Sequence, residues 1–221
     1  MSVPAAPAVA VDVAVLTVHA GALHVLLVQA RGGPFAGWWA LPGGRVREAE
    51  SLEDAARREL AAQTTLRGIH LEQLFTFGQP ERDPHDRVVS VAYVGLVPDP
   101  GSELHAGADG KYAAARWRSV SRLPTLAYDH AAVVRLAISR VRAKLQYTNL
   151  VYTLLPRPFT LTELQSVYES ILGRSLDRRN FRRKILSLGL LRGLGRTRRG
   201  SHRPAALFVF RSRRPRTVAV L

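Results

Sequence analysis

The chain has 221 residues, with 32 Lys/Arg against 17 Asp/Glu, a formal net charge of +15, and no cysteine. That length allows a domain of about 140 residues plus a smaller one, and the missing cysteines exclude a disulfide framework or a thiolate metal site. No apolar run approaches the roughly 20 residues that cross a bilayer, and residues 1–11, broken by Pro4 and Pro7, lack the basic stretch of a secretory signal; a cytoplasmic location is expected.

Residues 11–18 and 23–29 are β-branched, apolar runs separated by His19-Ala-Gly-Ala22, which predicts a hairpin. Residues 31–37, rich in glycine, predict a loop. A helix is expected after Ser51 and through Gln63, with Asp54 placed for a capping-box pattern and Leu52, Ala55, Ala56 and Leu60 at helical spacing. Residues 71–77, 87–97 and 113–118 read as strands, so a layered α/β domain is expected. From residue 129 to about 155 the pattern turns helical, with Val133, Leu136, Ala137, Val141 and Leu145 as its apolar stripe.

Beyond Pro156 and Pro158, residues 161–172 predict a helix, 173–175 a turn and 176–188 a second helix. Residues 190–194 and 205–211 then read as a hairpin with a Gly/Arg-rich tip. A helix-turn-helix followed by a hairpin is a winged helix. The domains are therefore set at residues 1–143 and 144–221.

Charge divides along the same line. Residues 144–221 hold 17 Lys/Arg against Glu163, Glu169 and Asp177, whereas residues 1–143 are nearly balanced. So basic a domain attracts polyanions, with nucleic acid the commonest; a merely solubilising surface is the alternative reading. In the second helix Phe181, Ile185 and Leu188 form the buried stripe, leaving Arg178, Arg179, Asn180, Arg182, Arg183 and Lys184 outward or on the flanks. Arginine pairs with guanine and asparagine with adenine in a major groove. The hairpin adds Arg196, Arg198, Arg199, His202 and Arg203 for the backbone or minor groove.

In the first domain, Gly44-x5-Glu50-x7-Arg58-Glu59-Leu60 matches the first part of the pattern G-x5-E-x7-R-E-U-x-E-E-x-G-U, in which U is bulky and aliphatic. That pattern projects carboxylates from adjacent turns so that oxygen ligands hold Mg²⁺ against a pyrophosphate. Here Ala62 and Gln63 stand in place of the paired glutamates and Thr65 in place of the last glycine, which makes a poor metal site. Glu50 and Arg58 are expected to brace the loop against the helix as an ion pair. The aromatics Phe35, Trp38 and Trp39 suit a core or a stacked ligand equally.

The motif resembles a Nudix box, and its flanks, Trp39-Ala-Leu-Pro-Gly-Gly44, Ala115-Arg-Trp117 and Leu123-Pro124, look like ADP-ribose pyrophosphatase-type Nudix domains. Residues 144–192, with Leu126-Ala-Tyr-Asp-His130 ahead of them, resemble the Nudix-related transcriptional regulators, the NrtR family. The resemblance implies an α/β Nudix-like sandwich with a C-terminal winged helix. It implies a homodimeric repressor of NAD-metabolism or sugar-utilisation genes on a palindromic DNA operator, with ADP-ribose or a related nucleotide as effector and no required cofactor. Arg31, Phe35, Trp39, Arg45, Arg58, Glu59, Arg87 and Tyr93 are the candidate ligand contacts; no catalytic or metal residue is assigned. The alternative is an active hydrolase of ADP-ribose-like nucleoside diphosphates, with Glu50, Glu53 or Glu81 as substitute metal ligands.

Overall fold

A computed structural model describes residues 6–99, 111–198 and 204–220. The chain forms two compact units, one of residues 1–16 and 24–137, the other of residues 17–23 and 138–221.

The first unit is organised by β1 (Ala8–His19), whose residues from Val11 to Thr17 are all buried. A strand buried on both faces reads as a continuous apolar run, and each fully buried Val or Leu contributes about 1.5–3 kcal/mol. It neighbours β2 (Ala22–Ala30), the partner expected from the hairpin pattern. Two short strands, β3 (Trp39–Ala40) and β4 (Gly43–Arg45), pair with β2 and β1. Next comes α1 (Leu52–Gln63), where Ser51 Oγ accepts from the Asp54 amide at 3.1 Å and donates to the Asp54 carboxylate at 2.7 Å.

The remaining strands are β5 (Leu71–Phe77), β6 (Val88–Leu96) and β7 (Tyr112–Ser119). β6 runs parallel to β1, with Ala10 opposite Ser90 and Asp12 opposite Ala92, while β5 and β7 pair antiparallel with β6 and β2. The seven strands form one mixed sheet. Ala55, Ala56 and Leu60 of α1 pack into a core with Val11, Val13, Leu26 and Tyr93.

Helix α2 (His130–Tyr147) buries Val133, Val134, Ala137, Val141 and Leu145 and carries the chain into the second unit. It stops at Tyr147 rather than near 155. Asn149 turns its side chain to another chain segment, and a short 3-10 turn follows at Leu150–Thr153.

Within the second unit, β8 (Phe159–Thr160) leads into α3 (Leu161–Leu172) through a capping box between Thr160 and Glu163. Gly173, at φ 70°, ends α3 in the left-handed conformation that glycine tolerates best. Helix α4 (Arg178–Ser187) begins two residues later than expected. Leu176 is held outside it by hydrogen bonds to Glu169 and Gln165, and Asp177 caps it. Tyr168 meets Phe181 at 5.3 Å between ring centroids, and Leu164, Ile171 and Ile185 complete the seam; Leu188 is only half-buried. The hairpin of β9 (Leu191–Arg198) and β10 (Ala205–Phe210) joins β8 in a three-stranded sheet of order β8-β10-β9. This is the helix-turn-helix with a wing.

Candidate functional site

A cavity of about 920 Å³ opens in the first unit between the loop at 31–37, β4, the middle of α1, the segment 82–86 and the start of α2. That is ample for a nucleotide-sized ligand.

One wall is the glycine pair Gly43-Gly44. A Cβ on Gly44 would sit 2.5 Å from the Glu59 carboxyl carbon, and one on Gly43 would sit 2.3 Å from the Val11 carbonyl oxygen. Only glycine lets the helix carboxylate pack directly on the loop backbone. The same wall is laced by Arg58. Its guanidinium meets Glu50 at 2.5 and 2.8 Å, Glu59 at 2.5 Å and the Arg45 carbonyl at 3.1 Å. Glu50 also accepts from the Arg47 amide at 2.7 Å. The hydrogen bonds from Arg58 hold the Glu50 carboxyl down at about 2, and Glu50 in turn raises the Arg58 guanidinium. The expected brace of loop against helix is present.

Gln63 completes the network from full burial. Its amide donates to the Gly43 carbonyl at 2.7 Å and to Glu59 Oε2 at 2.6 Å, while its oxygen accepts from the Gly43 amide at 3.1 Å. One Glu59 oxygen is thus taken by Arg58 and the other by Gln63. Among the described residues, no group of three or more His, Cys, Asp or Glu side chains is placed to hold a metal ion.

The floor is a second, buried network. Asp12 accepts from Arg82 at 3.0 Å and Ser90 at 2.6 Å and faces His130 Nε2 at 3.1 Å; Arg82 also meets Asp129 at 2.7 Å. His130 Nδ1 accepts from the Leu41 amide at 2.9 Å, which places the imidazole proton on Nε2, toward Asp12. Burial alone would raise the Asp12 carboxyl, but His130, Arg82 and Ser90 outweigh it and hold the group below the usual carboxylate range. Beside the floor, Tyr128 has φ 53° and lies 4.5 Å from the Phe35 ring and 5.2 Å from the His130 ring.

Of the candidate ligand contacts, Arg31, Phe35, Arg45, Arg58 and Glu59 line this cavity, and Arg45 is ion-paired with Asp86 at its rim. Trp39, Arg87 and Tyr93 do not line it. The Trp39 ring carries the Arg118 guanidinium at 4.4 Å. Arg87 is exposed and bonds the Val88 carbonyl, and Tyr93 is 5% exposed in the core, where burial raises its phenol. Sequence reasoning passes over Asp12, Arg82, Tyr128 and His130. The signal the sequence offers is Leu126-Ala-Tyr-Asp-His130, which carries a family likeness and marks no site.

The second candidate surface lies on α4. Phe181 and Ile185 are buried, and Arg178, Arg179, Asn180, Arg183 and Lys184 are exposed. Arg183 donates to Asn180 Oδ1 at 2.8 Å. Arg182 is half-buried and tied to Thr162 of α3 at 3.0 Å, with burial lowering its guanidinium. On the hairpin Arg196 is exposed, whereas Arg198 fastens β9 to α3 through Glu163 at 2.5 Å and the Pro158 carbonyl at 3.0 Å. Arg199, His202 and Arg203 lie outside the described residues.

Residues 6–137 match the NUDIX domain model, and residues 151–210 match the model of the NrtR DNA-binding winged helix domain. An ADPR responsive transcriptional repressor, NtrR, of Acinetobacter baylyi is 33% identical over 92% of this chain and 82% of its own length. An ADP-ribose pyrophosphatase of Methanocaldococcus jannaschii is 36% identical over 58% of this chain and 72% of its own. The crystal structure of Shewanella oneidensis NrtR complexed with a 27mer DNA superposes with a TM-score of 0.77 at 33% identity, covering 92% of this chain and 93% of that one. With both domains matched in the same order and a repressor matched over most of both lengths, this chain belongs to the Nudix-related transcriptional regulator (NrtR) family.

Proposed function

We propose that this protein is a DNA-binding transcriptional repressor released or set by ADP-ribose, which it binds in the cavity beside Arg58. The observation that carries the reading is the joining, in one chain, of a cation-rich cavity of nucleotide size and a winged helix whose α4 exposes Arg178, Arg179, Asn180, Arg183 and Lys184. The two relatives bear on the ligand. One responds to ADPR and the other is a pyrophosphatase of ADP-ribose, on the fold that builds this cavity.

In this reading Arg31, Arg45 and Lys111 at the rim meet the diphosphate, and Phe35 with Tyr128 offers ring faces to a base. Residues 1–143 sense the ligand and residues 144–221 bind DNA. Arg178, Arg179, Asn180, Arg183 and Lys184 read or grip the duplex, with Arg196 on the wing. Two copies bind the two halves of a palindrome in the cytoplasm. The effector acts only through unequal affinity for the DNA-fitting and non-fitting arrangements, so DNA and ligand weaken or strengthen each other reciprocally.

The protein works as a sensor, not as a hydrolase. The Mg²⁺ that a Nudix fold implies has no suitable donor set here. Ala62 supplies no ligand, the Gln63 amide is committed to Gly43, and both Glu59 oxygens accept hydrogen bonds. Of the substitutes a hydrolase would need, Glu50 and Glu53 are paired with Arg58 and Arg57, and Glu81 does not line the cavity.

The test is selection of bound duplexes from a random DNA pool at near-physiological salt, with and without ADP-ribose. An enriched palindrome whose recovery changes with ADP-ribose is expected. Enrichment indifferent to ADP-ribose rejects the effector, and Mg²⁺-dependent release of AMP from ADP-ribose rejects the sensor-only reading.

A further inference from the structure

The residues after the hairpin, 211–220, lie beyond the part matched to a winged helix, yet they are held in place. Asn149, 1% exposed, donates from Nδ2 to the Arg214 carbonyl at 3.1 Å and accepts the Arg216 amide on Oδ1 at 2.7 Å. Its own amide donates to the Arg216 carbonyl at 3.2 Å. Thr148 and Thr217 form an antiparallel bridge, the amides of Val218 and Val220 bond the carbonyls of Tyr147 and Gln146, and Val220 is buried. A buried asparagine that spends both ends of its amide on one foreign segment fixes that segment as a strap along the end of α2.

The hydrogen bonds of the clamp use only the backbone of the strap. The side chains of Arg214 and Arg216 are exposed, and Arg213 stacks its guanidinium 5.9 Å from the Tyr152 ring, where burial and the nearby Arg157 lower its affinity for a proton. Like charges are crowded together. The three acids of residues 144–221 are all engaged elsewhere: Glu163 with Thr160 and Arg198, Glu169 with Leu176 and Gln165, and Asp177 as the cap of α4. Among the described residues, Arg157, Arg213, Arg214 and Arg216 have no acidic partner.

We infer that residues 211–216 form a second DNA-contacting surface, a rigid basic strap that grips the phosphate backbone in addition to the contacts of α4 and the hairpin. This rests on the DNA-binding reading above. The chemistry is arginine to phosphate, which adds affinity and position without sequence information. The ordered backbone matters because an unordered basic tail would lose conformational freedom on binding and gain less affinity from the same charges.

The experiment uses the full chain and a 30-base-pair duplex of mixed sequence. The affinity of wild type, of the double variant Arg214→Ala/Arg216→Ala, and of Arg214→Lys/Arg216→Lys is measured as a function of salt, with thermal melting as the check on folding. Two lost phosphate contacts reduce the slope of log K against log salt by about 2 and weaken binding about ten- to a hundredfold at moderate salt. The lysine variant should retain most of the slope. Because the clamp is made by backbone atoms, all three proteins should melt alike. Equal slopes and affinities for wild type and the alanine variant would overturn the strap while leaving DNA binding by α4 intact. Failure of wild type to bind the duplex would overturn both.

Discussion

Gln63 and Gly43 exchange two hydrogen bonds, the glycine amide donating to Gln63 Oε1 at 3.1 Å and Gln63 Nε2 donating to the glycine carbonyl at 2.7 Å. A neutral amide serves both ends of a peptide group at once, which an ionised carboxylate cannot, and this one also donates to Glu59. Gln63→Glu would remove both donated bonds and bury a carboxylate against another. A loss of about 2–4 kcal/mol at neutral pH is expected, seen as a melting temperature lowered by several degrees. A variant that melts like wild type would mean that the clasp does not support the glycine loop.

The Glu50–Arg58 pair gives a pH dependence with a defined sign. The Glu50 carboxyl sits at about 2 when folded against 4.5 for the ordinary group, so its contribution is complete above about 4.5 and is lost as pH falls through about 2. Glu50→Gln should remove that component. Urea titrations between pH 2 and 6 should show wild type losing stability more steeply on acidification than the variant, and parallel curves would contradict the assignment.

Arg82 is held between two carboxylates with a side chain only 4% exposed. Arg82→Ala would leave Asp12, itself buried, without its cation. Breaking a buried pair from one side costs about 3–5 kcal/mol. Chemical denaturation should place the loss in that range, well above the loss from Asp12→Asn combined with Arg82→Met, which removes both charges. A single variant no worse than the double one would show that Asp12 is satisfied by Ser90 and His130 alone.

These networks differ in how far they are legible before folding. Helix α1 is written locally, in Ser51 as a cap and in an apolar stripe at helical spacing, and the Glu50–Arg58 brace follows from the same helix. The floor of the cavity is not local. Asp12, Arg82 and His130 come from a strand, a loop and a helix start far apart in the chain, and none has a neighbour pattern that marks it as paired. Strands β3, β4 and β8 are two or three residues long and too short for alternation to register. On α4 the apolar stripe identifies the buried face. It cannot show that Arg182 reaches back to Thr162, nor that Arg198 spends its charge on Glu163.

That last distinction separates arginines of one sequence run by what their removal does. Arg179 is exposed on α4, so Arg179→Ala should leave the melting temperature unchanged and weaken DNA binding roughly tenfold or more. Arg182 spans from α4 to α3, half-buried and bonded to Thr162. Arg182→Ala should therefore lower the melting temperature by a few degrees, with DNA affinity falling only as far as the folded fraction does. Melting curves and duplex titrations on the two variants side by side decide the matter. An Arg182 variant that is fully stable but binds DNA poorly would move that side chain from the packing of α3 on α4 to the DNA surface.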